Sequence, residues 1–282
     1  EVNKFVESAD TLLFLGVVDS DFNFGGALAS LDQKNCVWVF DRKVKAGEIT
    51  YDNVSIVDLV DGLLSSLPEN VGTMESVPRN VFYYRSNDPY DVDSSAKMTS
   101  DRLYQRLAHF IKSDDILVAD GPAAVNAVQI QLPEGSKYMA SSYWAAIGHG
   151  FAASLGTCLA AEKDRRVLVL VGDGSFQIGG HELSSMVRYG VTPIIFLVNN
   201  KGYTAERLIH DGAFNDVAHW QYHKMCEIFD GVTGSEVFTE DDLETALERA
   251  DNHKGPGPLL IEIHIDAYDV SYAFKMLSEN LR

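Results

Sequence analysis

The stretch "VLVLVGDGSF", Val167 to Phe176, decides how this chain folds. Apolar residues run unbroken from Val167 to Val171 and stop at a glycine, an acid, a second glycine and a hydroxyl. Such a run, bounded by glycine, reads as a strand buried on both faces. A turn needs one glycine, and an acid at the rim of a core needs something to hold. The stretch therefore reads as the end of a central strand that faces a ligand.

Working outward, the same grammar repeats. Ile116 to Ala119, Ile194 to Val198 and "PLLIEIHI" (Pro258 to Ile265) are further continuous apolar runs. Between them lie helical patterns. Thr99 or Ser100 caps a helix with Leu103, Leu107, Phe110 and Ile111 on one face. A Gly- and Ala-rich helix spans Ile147 to Ala161, another lies near Glu182 to Tyr189, and "TEDDLETALERA" (Thr239 to Ala250) is a capped helix. Apolar strands alternating with helices predict an α/β fold, a doubly wound parallel sheet over residues 98–282. Ahead of it, strands at Thr11 to Leu15 and Cys36 to Phe40 and a helix from Ser55 to Leu67 make a smaller α/β unit over residues 1–67. Two strands rarely bury a sheet's faces, so this unit reads as incomplete. Residues 68–97, rich in Asn, Asp, Ser and Pro, read as a linker.

The bulk numbers narrow the function. With 282 residues and 46% hydrophobic content the chain can build two modest domains. Its 23 basic and 41 acidic residues leave a net charge of −18, which repels phosphate backbones and anionic lipid. Neither nucleic acid nor membrane is expected as a partner, and no apolar run reaches the length of a span. Cys36, Cys158 and Cys226 are too scattered for a disulfide framework or a metal site, which predicts reduced thiols in the cytoplasm. The chain opens on Glu1 rather than a methionine, and is expected to be either a processed product or one piece of a larger protein.

In doubly wound sheets, ligands bind beyond the carboxyl ends of the strands. Two consecutive strands here end in polar signatures, "GDGS" (Gly172 to Ser175) and "NNKGYTAE" (Asn199 to Glu206). Magnesium takes six oxygens and accepts one or two from side chains. Asp173 can give a carboxylate oxygen, Asn200 an amide oxygen, and a backbone carbonyl near Gly202 a third. Gly172 and Gly174 let the main chain approach a phosphate, with Ser175 where the next helix begins.

These residues resemble a known family. "GDGS" followed by "NN" looks like the thiamine-diphosphate signature, and "NNKGYTAERLIHDGAFNDVAHWQY" resembles a segment of pyruvate, indolepyruvate and branched-chain 2-oxoacid decarboxylases. "SYWAAIGHGFAASLG" is similar to the segment that clasps the cofactor, and "GVVDSDFNFGG" to a turn of the middle domain. The resemblance covers nearly the whole chain, and it implies the C-terminal half of such an enzyme.

By that resemblance, Asp173, Asn200 and the Gly202 carbonyl bind Mg2+, and Asp120, Gly121, Gly172, Gly174, Ser175, Tyr203 and Thr204 surround thiamine diphosphate. Ile147 is the stiff wedge that bends the cofactor, and the Ala145 carbonyl accepts a hydrogen bond from its amino group. Glu206 is the acid/base residue, partly buried with a raised pKa. Trp144, Ala205 and Ile209 face the substrate pocket. Some positions depart from the family's pattern. Pro122 stands where a hydroxyl residue is common. Ala145 and Ala146 replace a common Gly-Ser pair, so that Ala145 is expected at negative φ. Ala205 replaces a larger residue, which implies room for a bulky 2-oxo acid.

Nothing in the chain matches the family's pyrimidine-binding domain or its adjacent histidines. The resemblance thus implies a second polypeptide carrying that domain, in a heterotetramer, and a first sheet completed by that partner. The activity implied is non-oxidative decarboxylation of a small-molecule 2-oxo acid to CO2 and an aldehyde. A carboligase of the same superfamily remains the neighbouring reading, and a cofactor-binding scaffold subunit the non-catalytic one. Glu206 within "GYTAE" favours aldehyde release, and a scaffold has no chemical need for it. The resemblance also implies that "AYDVSYAFKMLSENLR" (Ala267 to Arg282) closes over the site.

Overall fold

The computed structural model describes residues 2–18, 24, 31–68, 84–141, 144–162 and 165–281. The chain divides into two compact units, Glu1–Val81 and Phe82–Arg282. Each is described by itself.

The smaller unit begins with α1 (Val2–Glu7) and β1 (Leu12–Leu15), then β2 (Cys36–Phe40), β3 (Lys43–Ala46), β4 (Ile49–Asp52) and α2 (Ile56–Ser66). β1 and β2 pair in parallel, while β2, β3 and β4 form an antiparallel meander, giving the order β1-β2-β3-β4. The sequence reading of a two-stranded sheet is therefore corrected: the chain supplies two more strands itself. They are short, and β3 alternates lysine with small apolar residues, burying only Val44. Arg42, at φ 55°, and Gly47, also at 55°, sit in the turns between the strands. The Ser55 hydroxyl and the Asp58 carboxylate cap α2 reciprocally, yet no α2 residue is fully buried. The glycine-rich turn at 16–26 lies largely outside the described residues.

The larger unit runs α3 (Ser100–Phe110), β5 (Ile116–Ala119), α4 (Ala123–Ala127), β6 (Lys137–Ala140), α5 (His149–Ala160), β7 (Val167–Gly172), α6 (Asp173–Gly179), α7 (Glu182–Arg188), β8 (Ile194–Asn199), α8 (Thr204–Ile209), β9 (Thr233–Val237), α9 (Glu240–Asp251), β10 (Leu259–His264) and α10 (Tyr272–Leu281). Its six strands are all parallel, in the order β6-β5-β7-β8-β10-β9. Alternate residues of each strand feed opposite faces. Leu168 and Leu170 join the core beneath α3, α4 and α9, whereas Val167, Val169 and Val171 pack with Phe151, Phe176 and Met186 on the other side. Each such fully buried side chain contributes roughly 1.5–3 kcal/mol, which is why the continuous apolar strands hold the centre. The doubly wound sheet expected from the sequence is the fold.

Residues 84–97 run along this unit. Tyr84 is buried and bridges to Ile130, and the Asp93 N–H donates to Glu240 Oε2 at 3.0 Å. From β5 the chain steps one way to β6 and the other way to β7. Strand order reverses there, and a crevice opens beyond the strand ends.

Candidate active site

The crevice is built by the turns after β5, β7 and β8. Gly172, Asp173, Gly174, Ser175, Asn200 and Gly202 line one cleft, together with Tyr203, Thr204 and Ala205. The motif "GDGS" is not a loop ahead of a helix: Asp173 opens α6, so the acid sits in the first turn of a helix continuous with β7. Asp173 is buried, its Oδ1 accepting from the Gly174 N–H at 2.7 Å and its Oδ2 from the Gly202 N–H at 3.1 Å. The second bond joins the two signatures across the crevice. Burial pushes the Asp173 carboxyl up to about 6, against the pull of those N–H groups and of the Arg207 charge. No Lys or Arg side chain pairs with it among the described residues.

That donor set fits a dication. A buried carboxylate facing a cleft needs a positive charge. The Asn200 side chain forms no hydrogen bond among the described residues, which leaves its amide oxygen for a ligand. The glycines are needed for close approach. A Cβ on Gly174 would lie 2.3 Å from Tyr203 Cε1, and one on Gly202, at φ 142°, would lie 2.2 Å from the Asn215 carbonyl oxygen. Gly174 thus makes room for a tyrosine ring.

Three residues missed by the sequence reading hold this loop. Asn199 donates from Nδ2 to the buried Glu262 at 2.6 Å, anchoring the loop to β10. Arg207 looks in sequence like a solvated partner of Glu206. It is instead buried, donating to the carbonyls of Asn200 (3.3 Å) and Lys201 (2.7 Å) and to Asp216 Oδ1 (2.8 Å). The signal available was its spacing: Thr204 and Arg207, three apart on α8, share the buried face. Asn215 accepts from the Tyr203 N–H at 2.8 Å through its carbonyl.

Asp120 is fully buried and lines no part of this cleft. Its carboxylate accepts from the Gly148 N–H (2.9 Å) and the Phe151 N–H (2.7 Å), tying β5 to the start of α5. A Cβ on Gly121 would come within 2.9 Å of Ile147 Cγ2 and 3.0 Å of Ser175 Oγ, so these three converge over the switch point. Ala145 departs from expectation, with φ at 46°. Its N–H donates to the Ser141 carbonyl at 3.0 Å. An alanine there costs about 1–2 kcal/mol, which a glycine escapes.

The reacting end is less assembled. Of the substrate-pocket candidates only Ala205 lines the cleft; Trp144 is 78% exposed and Ile209 41%. Glu206 is exposed, so this chain alone does not bury it as the sequence reading expects. Ser142 and Tyr143 of the clasping segment lie outside the described residues. The C-terminal segment closes one side. The Thr204 hydroxyl donates to the Ala267 carbonyl at 2.8 Å, Ser271 bonds the Asn126 side chain, and Asp269, Val270, Ser271 and Phe274 line the cleft.

A parallel sheet whose switch-point turns bring a buried acid onto an Asn-Gly loop has the form of a cofactor-binding α/β domain. Residues 121–263 match the thiamine pyrophosphate enzyme, C-terminal TPP binding domain, and the chain belongs to that family. Within it, the chain is homologous to the pyruvate-decarboxylase-like 2-oxoacid decarboxylases and matches only their C-terminal half. It is 29% identical to the pyruvate decarboxylase of Aspergillus fumigatus, over 99% of this chain and 50% of the relative. Against pyruvate decarboxylase isozyme 2 of Saccharomyces cerevisiae it is 31% identical, over 95% of this chain and 49% of the relative. The chain spans about half the length of the curated relatives it matches. Among solved structures, the Rhodococcus jostii RHA1 thiamine diphosphate-dependent 4-hydroxybenzoylformate decarboxylase shares the fold, with a TM-score of 0.62 at 22% identity, covering 94% of this chain and 50% of that one. No helix among the described residues is long and apolar enough to cross a membrane.

Proposed function

We propose that this chain is the diphosphate-binding half of a thiamine-diphosphate- and Mg2+-dependent 2-oxoacid decarboxylase that releases CO2 and an aldehyde. The observation that carries the reading is the hydrogen bond from the Gly202 N–H to Asp173 Oδ2 at 3.1 Å, which sets both signatures around one point. Asp173, Asn200 and the Gly202 carbonyl would hold Mg2+, and Gly172, Gly174 and Ser175 would meet the diphosphate. Asp120, Gly121, Tyr203 and Thr204 shape and support that pocket, and Ile147 and the Ala145 carbonyl would support the pyrimidine side. When bound, the cofactor supplies the electron sink for decarboxylation.

The chain's residues bind, orient and handle protons. Arg207 holds the Asn200–Gly202 loop in place, so the metal ligands are arranged before any ligand arrives. Glu206 would carry the proton that ends the reaction as aldehyde. Its exposure means that another surface must exclude water from it, and a second polypeptide with the pyrimidine-binding domain is the partner proposed, in a heterotetramer. The side chain of Ala205 is small and lines the cleft, which favours a bulky 2-oxo acid. The three cysteines are free, which suits the reducing cytoplasm.

Native mass spectrometry of the protein from its source tests this reading. A second chain with thiamine diphosphate and Mg2+, followed by aldehyde release from a panel of 2-oxo acids, is the expected result. Copies of this chain alone, without cofactor even when it is supplied, would overturn it. A cofactor-loaded complex that condenses two carbonyl compounds would turn the assignment toward a carboligase.

A further inference from the structure

Away from the cleft, at the sheet edge formed by β9 and β10, four side chains point their polar atoms at one another: His223, Glu236, Glu262 and His264. The strands place them. Glu262 and Glu236 are directly opposite in the parallel register of β10 and β9, and His264 lies two residues beyond Glu262 on the same face. His223 comes from the 3-10 turn Tyr222–Glu227.

Two carboxylates opposite one another on paired strands repel, and one of these, Glu262, is only 1% exposed. No Lys or Arg pairs with either among the described residues. Among the described residues, the basic side chains that meet these carboxylates are the two imidazoles. His223 Nδ1 lies 2.7 Å from Glu262 Oε2 and 3.2 Å from Glu236 Oε1; His264 Nε2 lies 3.0 Å from Glu236 Oε1 and 3.6 Å from Glu262 Oε1. One ring nitrogen on each side therefore faces two acceptors, and a single N–H cannot point well at both.

We propose that these residues form a binding site for a zinc-type divalent transition metal, with His223 Nδ1 and the carboxylates of Glu236 and Glu262 as ligands, their ligand atoms all within 4.8 Å of one another, and with His264 holding Glu236 from outside. A metal among the three neutralises the paired acids and keeps one position open for water. Ligands about 2.0–2.1 Å from zinc in a tetrahedron stand about 3.3 Å apart, and the two separations from His223 Nδ1, 2.7 and 3.2 Å, lie at or below that value. An imidazole ligand suits zinc rather than Mg2+, which prefers an all-oxygen octahedron.

The surroundings are those of a fixed ligand set. Asn199 Nδ2 donates to Glu262 Oε1 at 2.6 Å and the His223 N–H to Oε2 at 2.9 Å, orienting the buried carboxylate. The His264 ring stacks on Phe238 with centroids 4.2 Å apart and planes within 1°. The Glu236 side chain, 35% exposed, leaves an entry from solvent. Through Asn199 the site lies directly behind the loop that carries Asn200 and Gly202, yet it does not depend on the decarboxylase reading.

The test is zinc titration of the full chain after chelation, with no thiamine diphosphate or Mg2+ added. One zinc per chain is expected. His223→Gln should weaken uptake roughly 100-fold and His264→Gln, which removes only a partner of Glu236, by less, while Asp173→Asn leaves it unchanged. Cobalt(II) alone, added to the unaltered chain, should give the strong visible absorption of a tetrahedral ion, a readout that does not depend on the variants folding. The proposal is overturned by absence of stoichiometric zinc uptake, by uptake in His223→Gln equal to that of the unaltered chain, or by a weak octahedral cobalt spectrum. The first of these results would make the cluster a hydrogen-bonded histidine–glutamate network and nothing more.

Discussion

The residues assigned to the diphosphate and those assigned to the reacting end are held very differently. Asp173, Thr204 and Arg207 are buried and place their polar atoms on neighbours within the chain. Trp144, Ile147 and Ile209 are between 37% and 78% exposed, and Glu206 faces solvent. One end of the site is finished by local hydrogen bonds before anything binds. The other stands open to solvent in this chain. Substitutions on the first should therefore be read in stability and ligand binding, and substitutions on the second in turnover alone.

Glu206→Gln should draw that line most sharply. In the two-chain enzyme proposed above, turnover is expected to fall about 100- to 10,000-fold. The unfolding free energy of this chain should change by less than about 0.5 kcal/mol. A large loss of stability would erase the contrast. Arg207→Ala tests the opposite end: its guanidinium side chain is 4% exposed, and urea unfolding should show a loss of about 2–4 kcal/mol. Arg207→Lys should recover only part of it, because a single ammonium cannot span two carbonyls and Asp216.

Gly174→Ala should cost about 1–3 kcal/mol through the clash with Tyr203. The double variant with Tyr203→Ala should recover most of that; an unrecovered loss would mean that the glycine answers to something other than the ring. The mildest effect is a pH dependence. With its pKa raised to about 6, Asp173 holds a proton more tightly in the fold than in the unfolded chain. The metal-free fold gains stability from this group as pH falls through that value, and the gain is complete below the unfolded pKa. Mg2+ held by Asp173, as proposed, would compete with the same proton. Its affinity, measured by calorimetry, should fall roughly tenfold for each pH unit below about 6.

The sequence was legible where the fold is most buried. The inner strands β5, β7, β8 and β10 read directly as apolar runs, and their ends marked the two signatures. The strands that escaped are β6 and β9, the edges of the large sheet, and the hairpin of β3 and β4. Edge strands are half-solvated, so "KYMA" and "TGSEV" carry lysine, glycine and glutamate where an inner strand carries valine. Within the site, the pairing of Asp173 with the Gly202 loop could be inferred because each motif ends a neighbouring strand. Buried Arg207 could not, because a cation beside a glutamate on a short helix looks solvated until the fold supplies Asp216. The cluster of His223, Glu236 and Glu262 has no spacing signature at all, since three separate elements bring it together.

Asp120 also bears on the order in which the chain can fold. Its bonds to Gly148 and Phe151 close a loop of local sequence that begins at the end of β5 and contains β6, the parallel partner of β5, and the start of α5. Made later in the chain are β7 beside it and Phe176 and Met186 against Phe151. The loop can gather as a nucleus while β9 and β10 are still unpaired, since short-range closure costs less entropy than the long crossover to the far edge. Pulse-labelled amide exchange should find β5, β6 and α5 protected first, and Asp120→Ala should slow refolding more than it speeds unfolding.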